Sequence, residues 1–171
     1  MSIWVLCGFM GCGKTVVGQA LSARLSVPFY DTDRLIAEQA GKTVSEIFAQ
    51  DGEAAFRAAE RDICRKLAQK KCGIVATGGG ALTFAENVQV FRTAHCPIIL
   101  IDTPLEVIFS RLSDDTTRPL FSRDAEAIKR LYETRLPLYR AAADFTVNGD
   151  ASPLAVSAEI KRLLRSRRGL S

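Results

Sequence analysis

The densest chemistry in the chain is Gly8-Phe9-Met10-Gly11-Cys12-Gly13-Lys14-Thr15. It follows the apolar run Ile3-Trp4-Val5-Leu6-Cys7 and precedes an apolar-periodic segment from Val16 to Leu25. Strand, glycine-rich loop and helix is the context that makes a G-x-x-x-x-G-K-[ST] pattern a site rather than a string match. Glycines at 8, 11 and 13 free the backbone for conformations closed to other residues, so N–H groups from Gly11 to Thr15 can turn inward around an anion. A helix beginning near Lys14 adds unpaired N–H groups and the positive end of its dipole. Lys14 can reach the β- and γ-phosphates of a bound nucleotide, and the Thr15 hydroxyl can ligate Mg²⁺. The competing reading is a glycine-rich turn that binds nothing. Cys12 lies inside this loop beside a helix N-terminus, an environment that activates thiols, so oxidation sensitivity is an expectation.

Asp31 and Asp33 are the next chemical pair. They follow Val27-Pro28-Phe29-Tyr30, which reads as a short buried strand. If the segment stays extended, residues at i and i+2 point to the same side. One carboxylate could then hold Mg²⁺, and the other could accept a hydrogen bond or proton from an attacking hydroxyl. Alternatively they serve as the N-cap of a helix over 34–40. Asp102, ending an apolar strand, is the rival metal residue. Gly78-Gly79-Gly80 follows the strand Gly73–Thr77 and offers backbone N–H groups and close approach. Arg57 falls off the apolar stripe of its helix, with Glu60 and Arg61 on the same side. Arg118, Arg123, Arg135 and Arg140 read, singly, as solvated cations. His95 reads as structural, and no cysteine–histidine spacing suggests zinc.

The elements that must position these residues alternate between strand and helix. Strands are expected at 3–7, 27–31, 73–77, 97–102 and 145–147. Thr43 with Glu46 predicts a capping box, and Thr83 with Glu86 a second one. A helix from about Ala125 to Ala142 contains Pro137, which should kink or restart it. Between two helices, Ser113 to Asp124 is polar and poor in apolar anchors, a loop length that is usually functional or disordered. Alternation implies an α/β fold with a parallel sheet covered on both faces. Ligands then gather at the carboxyl ends of the strands.

The 171 residues make a single domain with a real core. With 25% charged and 47% apolar residues, the composition is that of an ordinary soluble protein. No apolar run is long enough to span a bilayer and no export signal is apparent, so a cytoplasmic location is expected. Five cysteines without a C-x-x-C read as buried small hydrophobes in a reducing compartment. The net charge of +4 lies in residues 151–171, which carry five basic residues against one acid and leave the rest balanced. A basic helix end without interleaved aromatics reads as a solvated face, so neither nucleic acid nor membrane is expected as a partner.

Together, Gly8–Thr15, Asp31-Thr32-Asp33, Phe56-Arg57 with Glu60, Thr77-Gly78-Gly79-Gly80, Thr117-Arg118-Pro119-Leu120 and Arg135-x-x-x-Tyr139 resemble the shikimate kinase family in order and spacing. The resemblance covers essentially the whole chain. It implies a P-loop fold of the nucleoside-monophosphate-kinase type, with five parallel strands, strand one central and helices on both faces. It implies ATP-dependent phosphorylation of the 3-hydroxyl of shikimate, in chorismate biosynthesis. In this implied scheme Asp33 meets the reacting hydroxyl. Arg57, Arg135 and the Gly79 backbone hold the carboxylate, and Gly78 and Gly80 belong to the same substrate site. Thr15 and, through water, Asp31 hold Mg²⁺, Lys14 and Arg118 stabilise the transferring phosphoryl group, and Arg111 lies against adenine. Segment 34–60 would bind shikimate, 113–124 would be a lid, and the protein would be a monomer. Another small-metabolite or nucleotide kinase of the same fold is the nearest alternative. A nucleotide-dependent switch without transfer activity is the more distant one.

Overall fold

The computed structural model describes residues 3–113 and 125–168. Five parallel strands form one sheet: β1 (Ile3–Cys7), β2 (Phe29–Asp31), β3 (Gly73–Ala76), β4 (Ile98–Asp102) and β5 (Phe145–Asn148), in the order β2-β3-β1-β4-β5. Every residue of β1 and β3 is buried, as expected for central parallel strands covered on both faces. The edge strand β2 is only half-buried along its length, so the expectation of a buried strand there is corrected by its place in the sheet.

The helices are α1 (Lys14–Leu25), α2 (Thr32–Ala40), α3 (Val44–Gln50), α4 (Gly52–Ala68), α5 (Ala85–Thr93), α6 (Leu105–Ser113), α7 (Ala125–Ala142) and α8 (Pro153–Arg168). Right-handed crossovers place α1 on one face of the sheet, because the β1-to-β2 connection runs against the direction of the later ones. The last helix, α8, returns to pack against α1, while α4 packs on α2, α3 and α5. In α8, the Lys161 amine donates to the Arg24 carbonyl at the end of α1, 3.1 Å away, a favourable place for a cation.

Local sequence rules hold at several ends. Thr43 and Glu46 form the full capping box of α3. One expectation fails. The Thr83 hydroxyl donates back to the Gly80 carbonyl within a short 3₁₀ turn, and α5 begins at Ala85 with Phe84 as its N-cap and no side-chain capping bond. Pro137 lies inside α7, which does not restart there.

Candidate active site

Register brings the strand ends level. Leu6 of β1 lies opposite Ala76 of β3, which lies opposite Asp31 of β2. The loops that follow therefore leave the sheet side by side. Their seam is tied by hydrogen bonds: the Thr77 hydroxyl donates to the Leu6 carbonyl at 3.0 Å, and the Gly78 N–H donates to the buried Thr32 hydroxyl at 2.8 Å.

The first loop has the conformation its glycines permit. Gly11 and Gly13 have φ of 79° and 98°, the left-handed region that costs other residues strain. Gly13 is the N-cap of α1, so the helix opens directly onto the loop. The Lys14 amine donates to the carbonyls of Gly8 and Phe9 at 2.8 and 3.0 Å and lies 3.7 Å from the Cys12 sulfur. A cavity of about 360 Å³ is lined by Gly11, Gly13, Lys14, Thr15, Asp31, Asp33, Gly78, Gly79 and Arg111, among others. Arg111 is anchored there by bonds from Nη2 to the carbonyls of Gly149 and Ala151, at 2.8 and 3.3 Å. Cys12 is buried and its side chain does not line this cavity, so it belongs to the loop's underside.

Asp31 and Asp33 do not lie on one side of an extended segment, because α2 starts at Thr32 between them. Asp31 caps α2, with Oδ1 accepting from the Arg34 N–H at 3.2 Å. Its Oδ2 accepts from the Thr15 hydroxyl at 2.9 Å. Asp33 falls in the first helical turn, with its carboxylate against Gly78. Asp102 pairs with Arg140 at 2.9 Å and lines a separate cleft of about 650 Å³ with Pro104, Tyr132 and Asn148. Its carboxylate therefore faces that cleft and not the cavity beside the glycine loop, although the next residue, Thr103, donates its hydroxyl to the Cys12 carbonyl at 3.4 Å.

The triple glycine works by leaving room. A Cβ on Gly78 would run into the Asp33 carboxylate, and one on Gly80 would lie 2.9 Å from Nη1 and Nη2 of Arg57. One on Gly79 would lie 3.9 Å from Nη1 of Arg135. The Gly78 N–H is already bound to Thr32, so that donor is not on offer to a ligand. The Tyr139 hydroxyl donates to the Gly79 carbonyl, and burial pushes its pKa up to about 12 despite Arg135 nearby. It therefore stays a donor at neutral pH. Sequence reasoning assigned no such role to Tyr139 or Thr32; their burial, which only the fold reveals, is the signal.

Arg57 is the most constrained cation described. Nη1 donates to both oxygens of Glu60 at 3.1 and 3.0 Å, and Nε and Nη2 each lie 3.3 Å from Glu53 Oε1. Its guanidinium carbon sits 5.3 Å from the Phe56 ring centroid and 4.9 Å from that of Phe84. The Glu60 carboxyl is buried, which raises its pKa, with Arg57 opposing the shift. Arg118 and the segment 113–124, expected to be a lid, lie, apart from the last residue of α6, outside the described residues.

A glycine loop that opens onto a helix N-terminus, a carboxylate beside it and two arginines at the neighbouring turn are the parts of a P-loop phosphotransferase. The model of the shikimate kinase family matches residues 10–165. Shikimate kinase of Aquifex aeolicus is 38% identical over 155 residues, covering 91% of each chain. That of Thermobifida fusca is 41% identical over 145 residues, covering 84% of this chain and 83% of its own. The structure of Acinetobacter baumannii shikimate kinase in complex with shikimate superimposes with a TM-score of 0.89 at 32% identity, covering 98% of this chain and 94% of that one. The chain belongs to the shikimate kinase family.

Proposed function

We propose that the protein transfers the γ-phosphoryl group of ATP to the 3-hydroxyl of shikimate, giving shikimate 3-phosphate and ADP for chorismate biosynthesis. Family membership supports the kinase activity and the acceptor. The observation that carries the residue assignments is the convergence of Lys14, Asp33, Arg57 and Arg135 on two neighbouring glycine turns.

Each role follows from chemistry. The loop from Gly11 to Thr15, Cys12 included through its backbone, cradles the phosphates, and Arg111 flanks the base. Lys14 leaves the Gly8 and Phe9 carbonyls to meet the β- and γ-phosphates, exchanging neutral acceptors for charged ones. Asp33 orients the acceptor hydroxyl and takes its proton as the phosphoryl group moves in line. Arg57 and Arg135 grip the acceptor carboxylate, a task suited to planar forked donors. The Thr15 hydroxyl and the Asp31 carboxylate, already 2.9 Å apart, are the hard oxygen donors that Mg²⁺ accepts, and the ion would neutralise phosphate charge when bound. Arg118 is assigned the second charge on the transferring group.

The chain is a single domain, with shikimate bound by segment 34–60 and covered by 113–124. A cytoplasmic home accords with five free thiols. No helix among the described residues is long and apolar enough to cross a membrane. A monomer accords with the exposed large apolar side chains Val16, Phe48, Phe84, Leu138 and Leu154, which stand on separate elements. ADP release, measured with ATP and Mg²⁺ against shikimate, gluconate and nucleoside monophosphates, tests the reading. Turnover with shikimate alone is expected, and preference for another acceptor overturns it.

A further inference from the structure

Phe84 is in the wrong place by every local rule. It holds the N-cap position of α5, where Ser, Thr, Asp or Asn would satisfy an orphan N–H, and no side chain caps that helix. The neighbouring Thr83 hydroxyl is committed to the Gly80 carbonyl at 2.7 Å. Nor does Phe84 serve the core, since its side chain is 40% exposed. What the ring touches is Arg57, whose guanidinium carbon lies 4.9 Å from its centroid.

We propose that Phe84 is a positioning residue, holding the Arg57 guanidinium in the plane that receives the acceptor carboxylate. This rests on the assignment of Arg57 to that carboxylate. Arg57 is enclosed on several sides. Glu60 and Glu53 accept its N–H bonds, the Phe56 and Phe84 ring centroids lie 5.3 and 4.9 Å from its carbon, and a Cβ on Gly80 would lie 2.9 Å from its nitrogens. Arg61, one turn further along α4, reaches Glu86 of α5 at 3.5 Å, so the start of α5 is docked where Phe84 can reach the cation. An arginine left free would lose rotamer freedom each time the acceptor bound. A ring held against it before binding moves that cost into folding, which improves affinity without a new contact to the ligand. A helix cap is given up for this, the exchange of stability for function expected where a local rule is broken.

The test compares Phe84→Ser, which removes the ring and supplies a capping hydroxyl, with Phe84→Tyr, which keeps the ring. Steady-state kinetics with shikimate and ATP are run beside thermal melts of each full chain. Phe84→Ser should raise the KM for shikimate about two- to fivefold, the scale of one partly exposed cation–π contact. Its kcat and KM for ATP should stay at wild-type values, and its Tm should be equal or higher. Phe84→Tyr should restore the wild-type KM. A wild-type shikimate KM in Phe84→Ser, or a Phe84→Tyr variant no better than it, overturns the proposal. Arg57→Ala is the separate check on the underlying assignment, with an expected rise in shikimate KM of about tenfold or more. If that variant binds shikimate normally, the carboxylate assignment itself fails.

Discussion

Two glycine-rich turns stand side by side at the carboxyl end of the sheet, and glycine does a different job in each. In Gly8–Gly13 the requirement is conformational. Gly8, Gly11 and Gly13 have φ of 142°, 79° and 98°, and the result is a backbone that presents itself to an anion. In Gly78–Gly80 the backbone is ordinary, with Gly80 at φ −98°. The requirement there is space, since Asp33 and Arg57 occupy the volumes where side chains at 78 and 80 would stand. In the proposed function the first turn is itself the ligand-binding surface. The second is thin so that neighbouring side chains can be one.

Alanine substitutions separate the two jobs. The largest effect is expected for Gly78→Ala, whose Cβ displaces the Asp33 carboxylate. Turnover with saturating shikimate should fall about tenfold to a hundredfold, as for a mispositioned catalytic base, with ATP affinity retained. Gly79→Ala is its internal control, because the nearest atoms to a Cβ there, Met10 N at 3.5 Å and Arg135 Nη1 at 3.9 Å, are at ordinary contact distance. Equal losses in the two variants would show that the turn matters for its backbone and not for the room it leaves. Gly13→Ala comes next. Nothing lies closer than Val16 at 3.7 Å, so the penalty is the left-handed conformation alone, about 1–2 kcal/mol. That should appear as a roughly five- to thirtyfold weaker apparent affinity for ATP with the shikimate KM unchanged, read from two-substrate kinetics.

How much of this was legible in the sequence depended on how local each cause is. The first glycine turn was readable because its pattern, its strand and its helix are contiguous. The order of elements implied the parallel sheet, and the resemblance placed strand one at its centre; the full strand order comes from the structure. The two aspartates were misjudged in geometry. Alternation at i and i+2 assumes an extended chain, and α2 begins at Thr32, so Asp31 caps while Asp33 enters the first turn. The expected cap at Thr83 failed because a hydroxyl bond back to Gly80 competes with it. Close approach at the triple glycine was legible, but not what approaches it, since Asp33 and Arg57 reach it from elements 45 and 23 residues earlier in the chain.

The smallest expected effect concerns the acid behind the second turn. Glu60 is buried against Arg57, with Asp33 and Arg135 also acting on it, and burial dominates to raise its pKa above the ordinary value of 4.5. A raised carboxyl pKa means that the folded state holds its proton more tightly than the unfolded one. The associated stability is full below about pH 4.5 and is lost as pH climbs through the raised value. Glu60→Gln keeps the shape and removes the titration. The Tm of the wild type minus that of Glu60→Gln should therefore be most favourable to the wild type near pH 4 and decline toward neutrality, in paired melts from about pH 4 to 8. Subtracting the variant cancels the other carboxylates that acid titrates. A difference that stays flat across this range would mean that the ion pair with Arg57, not burial, governs the carboxyl. The second turn would then rest on a permanent charge pair in place of a proton-dependent one.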